Sequence, residues 1–269
     1  MKYLYYPGCS LESTARQYDV STRSLMSALG AELAEIPEWT CCGASAAHAM
    51  DRTLALALPA LNLAAAEAAM PGADILVPCS ACYLNLKRVH VMAEADPGGL
   101  AEVNEIIAAQ FLHYSGNARP RHLLDVLSKD FGPAAIEQKV SGGLSGMLVA
   151  PYYGCQCLRP YRVFDDPEVP HSMDSLLQAA GARVYRWSMA SRCCGASHMT
   201  THTGIGQELV FKILKAARGA DLITTVCPMC LMNLEAYQKE ISARFGEDVR
   251  IPVTYLPELL CRAMDMQNA

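Results

Sequence analysis

Short apolar runs alternate with longer stretches of helical period along the chain, and the whole alternation occurs twice. Residues 2–6 and 147–153 are rich in aromatic and branched apolar side chains, which predicts a strand at each place. Apolar positions then recur at helical spacing over 15–29 and 172–180. Gly30 and Gly181 follow, where a left-handed residue ends a helix. A second short strand is predicted over 32–36 and 183–187, and a long helix over 52–70 and 206–218. The runs 74–77 and 221–226 predict a buried strand, each with a helix directly behind it. Strand and helix in alternation predict an α/β fold with a mainly parallel sheet in each half.

The two halves are copies. Cys41 to Ser45 and Cys193 to Ser197 both read CCGAS. Gly72-Ala73-Asp74 and Gly219-Ala220-Asp221 precede a Cys-x-x-Cys in each half, and Asn85-Leu86 and Asn233-Leu234 follow it. Tyr5-Tyr6-Pro7-Gly8-Cys9 pairs with Tyr152-Tyr153-Gly154-Cys155 if one residue is deleted. Such a series, in one order twice, is the signature of a duplicated unit. The division expected is a first domain over 1–93, a helical connector over 94–146 and a second domain over 147–269. Asp96-Pro97-Gly98-Gly99 and Ser141-Gly142-Gly143 act as breakers near the connector ends. Helical periodicity is expected inside it over 102–114 and 121–129. The segment 253–264 is expected to close the second half with a strand and a short helix.

Composition narrows the function. The chain has 269 residues, 52% of them hydrophobic, and a net charge of 22 − 27 = −5. A chain this apolar folds, and its mild acidity offers no basic face for nucleic acid. The stretch 54–70 is apolar but carries Pro59, Asn62 and Glu67, so a buried helix is expected there and no membrane insertion. The opening MKYLYYPG lacks the apolar run of a secretory signal, which points to a cytoplasmic protein. In that compartment thiols stay reduced, so 12 cysteines call for metal or redox chemistry.

Ten of the cysteines repeat as two sets of five: Cys9, Cys41, Cys42, Cys79, Cys82, and Cys155, Cys193, Cys194, Cys227, Cys230. All ten are expected at the carboxyl ends of strands, the edge where open α/β folds bind ligands. Thiolates suit zinc, copper(I) or iron–sulfur clusters. Zinc takes four ligands, and a cubane cluster also takes four. Five sulfurs per half point to a multi-iron cluster with an unusual ligand set, or to four ligands and one free thiol. Cys157 and Cys261 have no counterpart and are expected in the core.

These motifs, with Leu158-Arg159-Pro160 and Phe164-Asp165-Asp166-Pro167-Glu168 after Cys155, resemble the CCG or cysteine-rich-domain proteins, and among them the HdrB-type subunit of heterodisulfide reductase. The resemblance implies that each five-cysteine set binds a non-cubane [4Fe–4S] cluster. It implies two halves related by pseudo-twofold symmetry, with the clusters facing each other across a cleft. It further implies that a disulfide is reductively cleaved there. Electrons would come from a ferredoxin-like HdrC-type subunit served by a flavoprotein of HdrA type. No ferredoxin-type cysteine run stands in the chain itself, in keeping with a separate electron donor. Three alternatives stand beside this reading. They are a CCG electron-transfer subunit of a lactate- or glycolate-oxidising assembly, a related complex of sulfur metabolism, and a non-catalytic zinc-binding scaffold; for the cofactors, the alternative is zinc in one half in place of a cluster.

Three side chains outside the cysteines are candidates for catalysis. His48 and His198 follow their Cys-Cys pairs and titrate in the range useful for giving a proton to a leaving thiolate. Arg159 is placed to attract an anionic substrate. Tyr6 and Tyr153 are expected to pack against the clusters.

Overall fold

The structure is a computed structural model that describes residues 1–44 and 46–266. The first half runs β1 (Lys2–Tyr5), α1 (Arg16–Ala28), β2 (Glu32–Glu35), α2 (Ala47–Met50), α3 (Arg52–Ala69), β3 (Asp74–Val77) and α4 (Ser80–Ala95). Then come α5 (Pro97–Ile107), β4 (Arg119–His122), α6 (Leu123–Val126) and α7 (Gly132–Glu137). The second half runs β5 (Leu148–Tyr152), α8 (Ser172–Ala179), β6 (Arg183–Val184), α9 (Thr203–Ala216) and β7 (Leu222–Thr225). It ends with α10 (Pro228–Ala236), α11 (Gln238–Phe245), β8 (Val253–Tyr255) and α12 (Leu256–Ala263).

Each half holds a four-stranded sheet, ordered β2-β1-β3-β4 and β6-β5-β7-β8, and every pairing is parallel. The two sheets thus share one topology, as expected of two homologous α/β halves. The central strands β3 and β7 are buried along almost their whole length, which explains their apolar or β-branched sequence after the half-buried Asp74 that opens β3. Gly30 (φ +79) and Gly181 (φ +88) end α1 and α8 in the left-handed conformation anticipated for them.

The connector departs from its expected character. It is not only helical, because residues 119–122 form β4, the edge strand of the first sheet. Arg121 fixes this strand through Asp74, Asp125 and Asp130. The expected break at Asp96 is instead a helix start. The Asp96 carboxylate accepts from Gly98 N at 3.1 Å and Gly99 N at 3.2 Å, and Pro97 fills the first turn, where its missing N–H costs nothing. Other bounds also shift. The helix expected over 102–114 is α5, which runs from Pro97 to Ile107, β6 is two residues long against five expected, and α9 starts three residues early, at Thr203.

With β4 in place the repeat extends further than the cysteines. His122 ahead of α6 matches Tyr255 ahead of α12, each the cap residue between a fourth strand and its helix. The halves embrace reciprocally through these corners. Tyr18 of α1 stacks on Tyr255 with ring centroids 4.1 Å apart and planes 4° apart. Phe164 of the second half stacks on His122 at 5.9 Å and 2°. Cys261 Sγ lies 3.5 Å from Ser21 O in the same α1–α12 packing, so it is buried filler as expected. One hydrophobic core runs through both halves.

Candidate metal centres

Eight of the ten repeated cysteines stand in the loops that follow strands, and Cys82 and Cys230 lie just beyond, inside the helices behind β3 and β7. Cys79 and Cys227 occupy the N-cap positions of α4 and α10, so Cys82 and Cys230 lie in the first turns of those helices. The positive end of each helix acts towards thiolate there, but of the four sulfurs only Cys227 is held below the usual thiol range, by its neighbours Cys230 and Cys79.

Gly8 (φ +72) and Gly154 (φ +69) let the backbone pass close to these sulfurs. A Cβ would lie 2.8 Å from Cys82 Sγ in the first case and 3.0 Å from Cys230 Sγ in the second. Adjacent cysteines on a regular backbone point apart, and the turn at Gly43 (φ +72) or Gly195 (φ +75) bends the chain after each pair. The N–H of Gly43 donates to Cys41 Sγ at 3.4 Å, and that of Gly195 to Cys193 Sγ at 3.3 Å. The amide side chains of Asn85 and Asn233 tie the loops to the helices, donating to Cys42 O at 2.9 Å and to Cys194 O at 2.7 Å.

The thiols gather accordingly. Cys42 and Cys82 are 3.3 Å apart, Cys41 and Cys9 3.9 Å, and Cys194 and Cys230 3.7 Å. In the second half Cys155, Cys193, Cys194, Cys227 and Cys230 line one cavity of about 60 Å³, together with Ser80 of the first half. Ser80, next to Cys79, donates to Val226 O, next to Cys227, at 3.2 Å, so the two sets adjoin where the halves meet. Crowded thiols cannot all ionise alike. Hydrogen bonds from Cys41 and Cys82 push Cys42 down to about 4, and one from Cys155 pushes Cys193 down to about 6. Cys82 and Cys230 are driven well up by their bonded neighbours and by burial.

This donor set fits a multi-iron cluster, whose separate irons take sulfurs spread around a cavity. Among the described residues no three His, Cys, Asp or Glu side chains converge on one point as ligands of a single metal ion. Five sulfurs line the second-half cavity, one more than a zinc ion takes.

The cysteine-rich domain model of the CCG family matches the chain twice, over residues 3–87 and 149–235. The chain belongs to the CCG family. Its relatives include a protein of Archaeoglobus profundus named as like the B-type subunit of heterodisulfide reductase, 30% identical over 100% of this chain and 93% of that protein. The B-type subunit of a ferredoxin/F420H2-dependent CoB-CoM heterodisulfide reductase from Methanosarcina acetivorans is 28% identical over 96% of this chain and 88% of its own length. A third relative is the membrane anchor subunit of an 8-methylmenaquinol:fumarate reductase from Wolinella succinogenes, 31% identical over 98% and 92%. The fold is shared with a hypothetical protein of Helicobacter pylori (TM-score 0.77, 14% identity), of which this chain covers 49%. Membership of the CCG family, with heterodisulfide reductase subunits among the relatives, makes this an iron–sulfur electron-transfer protein. No helix among the described residues is long and apolar enough to cross a membrane.

Around the CCG loops the other candidates fare differently. His48 lies on α2, and its Nε2 is 2.8 Å from Arg88 Nη1 and 3.3 Å from Asn85 Oδ1. A nitrogen that accepts from Arg88 has no proton to give, so the geometry does not favour His48 as a donor through that atom. His198 is exposed at the end of a 3-10 turn, beside His202. Arg159 does not face open solvent with a free charge. It donates to Ser191 O at 2.9 Å, to Pro167 O and to Glu168, and so braces the loop that carries Cys193.

The aromatic pairing is Tyr6 with Tyr152, not with Tyr153. Tyr6 donates to Thr40 O and Tyr152 to Arg192 O, both at 2.6 Å, each to the residue before a CCG. The motif therefore aligns without a gap, as Tyr6-Pro7-Gly8-Cys9 on Tyr152-Tyr153-Gly154-Cys155. Tyr153 serves α8 instead, where its hydroxyl accepts from Met173 N at 2.8 Å. Sequence reasoning passed over Ser80 and His122, which lie buried between the halves. Their signal was available in the repeat, where Leu123 to Leu127 after His122 matches Leu256 to Leu260 after Tyr255.

Proposed function

We propose that this chain is the disulfide-cleaving iron–sulfur subunit of a heterodisulfide-reductase-type complex. The observation that carries the reading is the approach of two complete five-cysteine sets where the halves meet, with Ser80, next to Cys79, bonded to the carbonyl before Cys227 and lining the cavity of the second set. Each set would hold a non-cubane [4Fe–4S] cluster, which when bound supplies one-electron redox chemistry and an iron able to take a sulfur ligand. Cleavage needs two electrons and two protons for each disulfide, and yields two thiols. Two sites side by side give each product sulfur a place of its own.

The chain's own residues shape the site. The helix starts at Cys79 and Cys227 bring in their positive ends. The glycines at 8 and 154 clear space beside Cys82 and Cys230. Cys9, Cys41 and Cys193 are exposed, so the rim is open to an incoming molecule. A ferredoxin-like HdrC-type subunit, fed by a flavoprotein of HdrA type, is the proposed source of electrons, and the complex is proposed to work in the cytoplasm. Three relatives named as B-type subunits of heterodisulfide reductases support this assignment.

A second reading rests on the Wolinella relative, whose identity and coverage match those of the heterodisulfide reductase relatives. In that reading the same centres pass electrons between a quinol and another subunit, and no disulfide is cleaved. Metal analysis after anaerobic purification comes first: about eight irons per chain fits two four-iron clusters. Zinc without iron would overturn both readings. Oxidation of a reduced viologen dye that depends on an added disulfide supports the first reading. Iron-loaded protein that ignores every disulfide in a panel yet exchanges electrons with a menaquinol analogue would replace it with the second.

A further inference from the structure

The two centres have matching ligands but unlike surroundings. Four positions related by the repeat differ at the corners where the halves meet. Beside Cys79 stands Ser80, and beside Cys227 stands Pro228. His122 corresponds to Tyr255, Phe164 to Tyr18, and Cys157 to Leu11. All eight are buried or nearly so.

The substitutions compensate one another. In the first half the Tyr18 hydroxyl donates to Pro78 O, the carbonyl before Cys79, at 3.1 Å. The matching carbonyl before Cys227 is Val226 O, and Phe164 has no hydroxyl to offer it. Ser80 reaches across from the first half and donates to Val226 O at 3.2 Å. His122 Nδ1 accepts from Leu124 N at 3.2 Å, which places the ring proton on Nε2. That proton is directed at Ser80 Oγ, 3.1 Å away. The serine is thereby held with its own proton on the carbonyl. It also lines the cavity formed by all five second-half cysteines.

We propose that the Ser80 hydroxyl, held by His122, sets the second-half centre apart from the first, so that the two centres titrate at different potentials. The inference rests on the reading of two iron–sulfur centres. Each centre answers to a different hydroxyl: the second to Ser80 from the opposite half, the first to Tyr18 from its own. Potentials of such centres respond to hydrogen bonds, local charge and solvent access around the sulfurs. Removing a donor from the carbonyl beside Cys227 leaves its partial negative charge uncompensated in a buried site. Reduction of the adjacent centre then becomes harder, and its potential falls. Ser80 and His122 are positioning residues in this scheme.

The test is a redox titration of the full-length, iron-loaded chain followed by electron paramagnetic resonance. Wild-type protein should show two transitions at separate potentials. Ser80→Ala should shift one to a more negative potential and leave the other in place. Tyr18→Phe should shift the other one. Ser80→Thr, which keeps the hydroxyl, should restore the wild-type position. His122→Phe keeps a ring against Phe164 but removes the N–H, and should move the same transition as Ser80→Ala. It serves as the readout if Ser80→Ala loses iron. A single wild-type transition carrying both centres overturns the inference. So does movement of the same transition by Ser80→Ala and Tyr18→Phe, or no movement with either. Wild-type protein with about four irons per chain fails the two-centre reading itself, before any variant is made.

Discussion

A single methyl group at Gly154 would meet two obstacles. The backbone there is at φ +69, which side chains rarely adopt, and the new Cβ would lie 3.0 Å from Cys230 Sγ. The sulfur must move for the methyl to fit, and a displaced ligand no longer faces its cavity. Gly154→Ala should therefore bind about four irons per chain instead of about eight, with the first-half centre intact. Full iron content in the variant would show that Cys230 is not held by this close approach. Away from the centres, His90 makes stability depend on pH. Its Nδ1 donates to the Tyr114 hydroxyl at 2.8 Å, and that hydroxyl donates to Ala118 O. Burial, helped by nearby Lys87, pushes His90 down to about 4. The unfolded chain takes up this proton below about 6.5, while the folded chain resists it until about 4. The contribution is thus fully present above pH 6.5 and lost as pH falls towards 4, by up to about 3 kcal/mol. Denaturant midpoints at pH 7.5 and 4.5 should differ less in His90→Gln than in wild type. An equal drop in both would assign the acid loss to other groups.

At the level of elements, the start of α5 gives a direct measure of a cap. Asp96 is the only side chain bonded to the first amides of that helix among the described residues, so Asp96→Ala should cost about 1 kcal/mol in a urea titration. A change within a few tenths would mean that Pro97 alone starts the helix. This element also shows where local sequence signals mislead: proline and two glycines in a row read as a break, yet the acid before them converts the break into a beginning. Elements with strong periodicity or buried apolar runs were legible, among them α1, α3, β3 and β7, and so was the position of every repeated cysteine. β4 was not. Its sequence, Arg119-Pro120-Arg121-His122, has no strand pattern, and proline is tolerated because the strand lies at the sheet edge. What makes it a strand is the pairing of Asp74–Val77 with it, together with the ion pairs of Arg121. Those contacts are tertiary and have no local trace. The tyrosine alignment went astray for a similar reason, since only the hydrogen bonds to Thr40 and Arg192 show which ring matches Tyr6.

Across the whole molecule, the duplication decides how damage to one half should be felt by the other. If the halves were independent carriers, disabling one centre would leave about half the activity. The interface argues otherwise. Ser80, next to Cys79, bonds the carbonyl before Cys227 and lines the cavity of the other half, and the stacked pairs Tyr18–Tyr255 and Phe164–His122 lock the halves into one arrangement. Groups that act as a unit lose their whole contribution when any one member is removed, and further removals then cost little more. Cys194→Ala strips a buried ligand from the second-half set while leaving the first-half set complete. The variant should keep about four irons per chain, which shows that the fold survives, and its disulfide-dependent turnover should be abolished. Cys42→Ala should do the same from the other side, and the double variant should be no worse than either single one. Retention of about half the rate in either single variant would mean that each centre works alone, and would separate the duplicated architecture from the paired chemistry proposed for it.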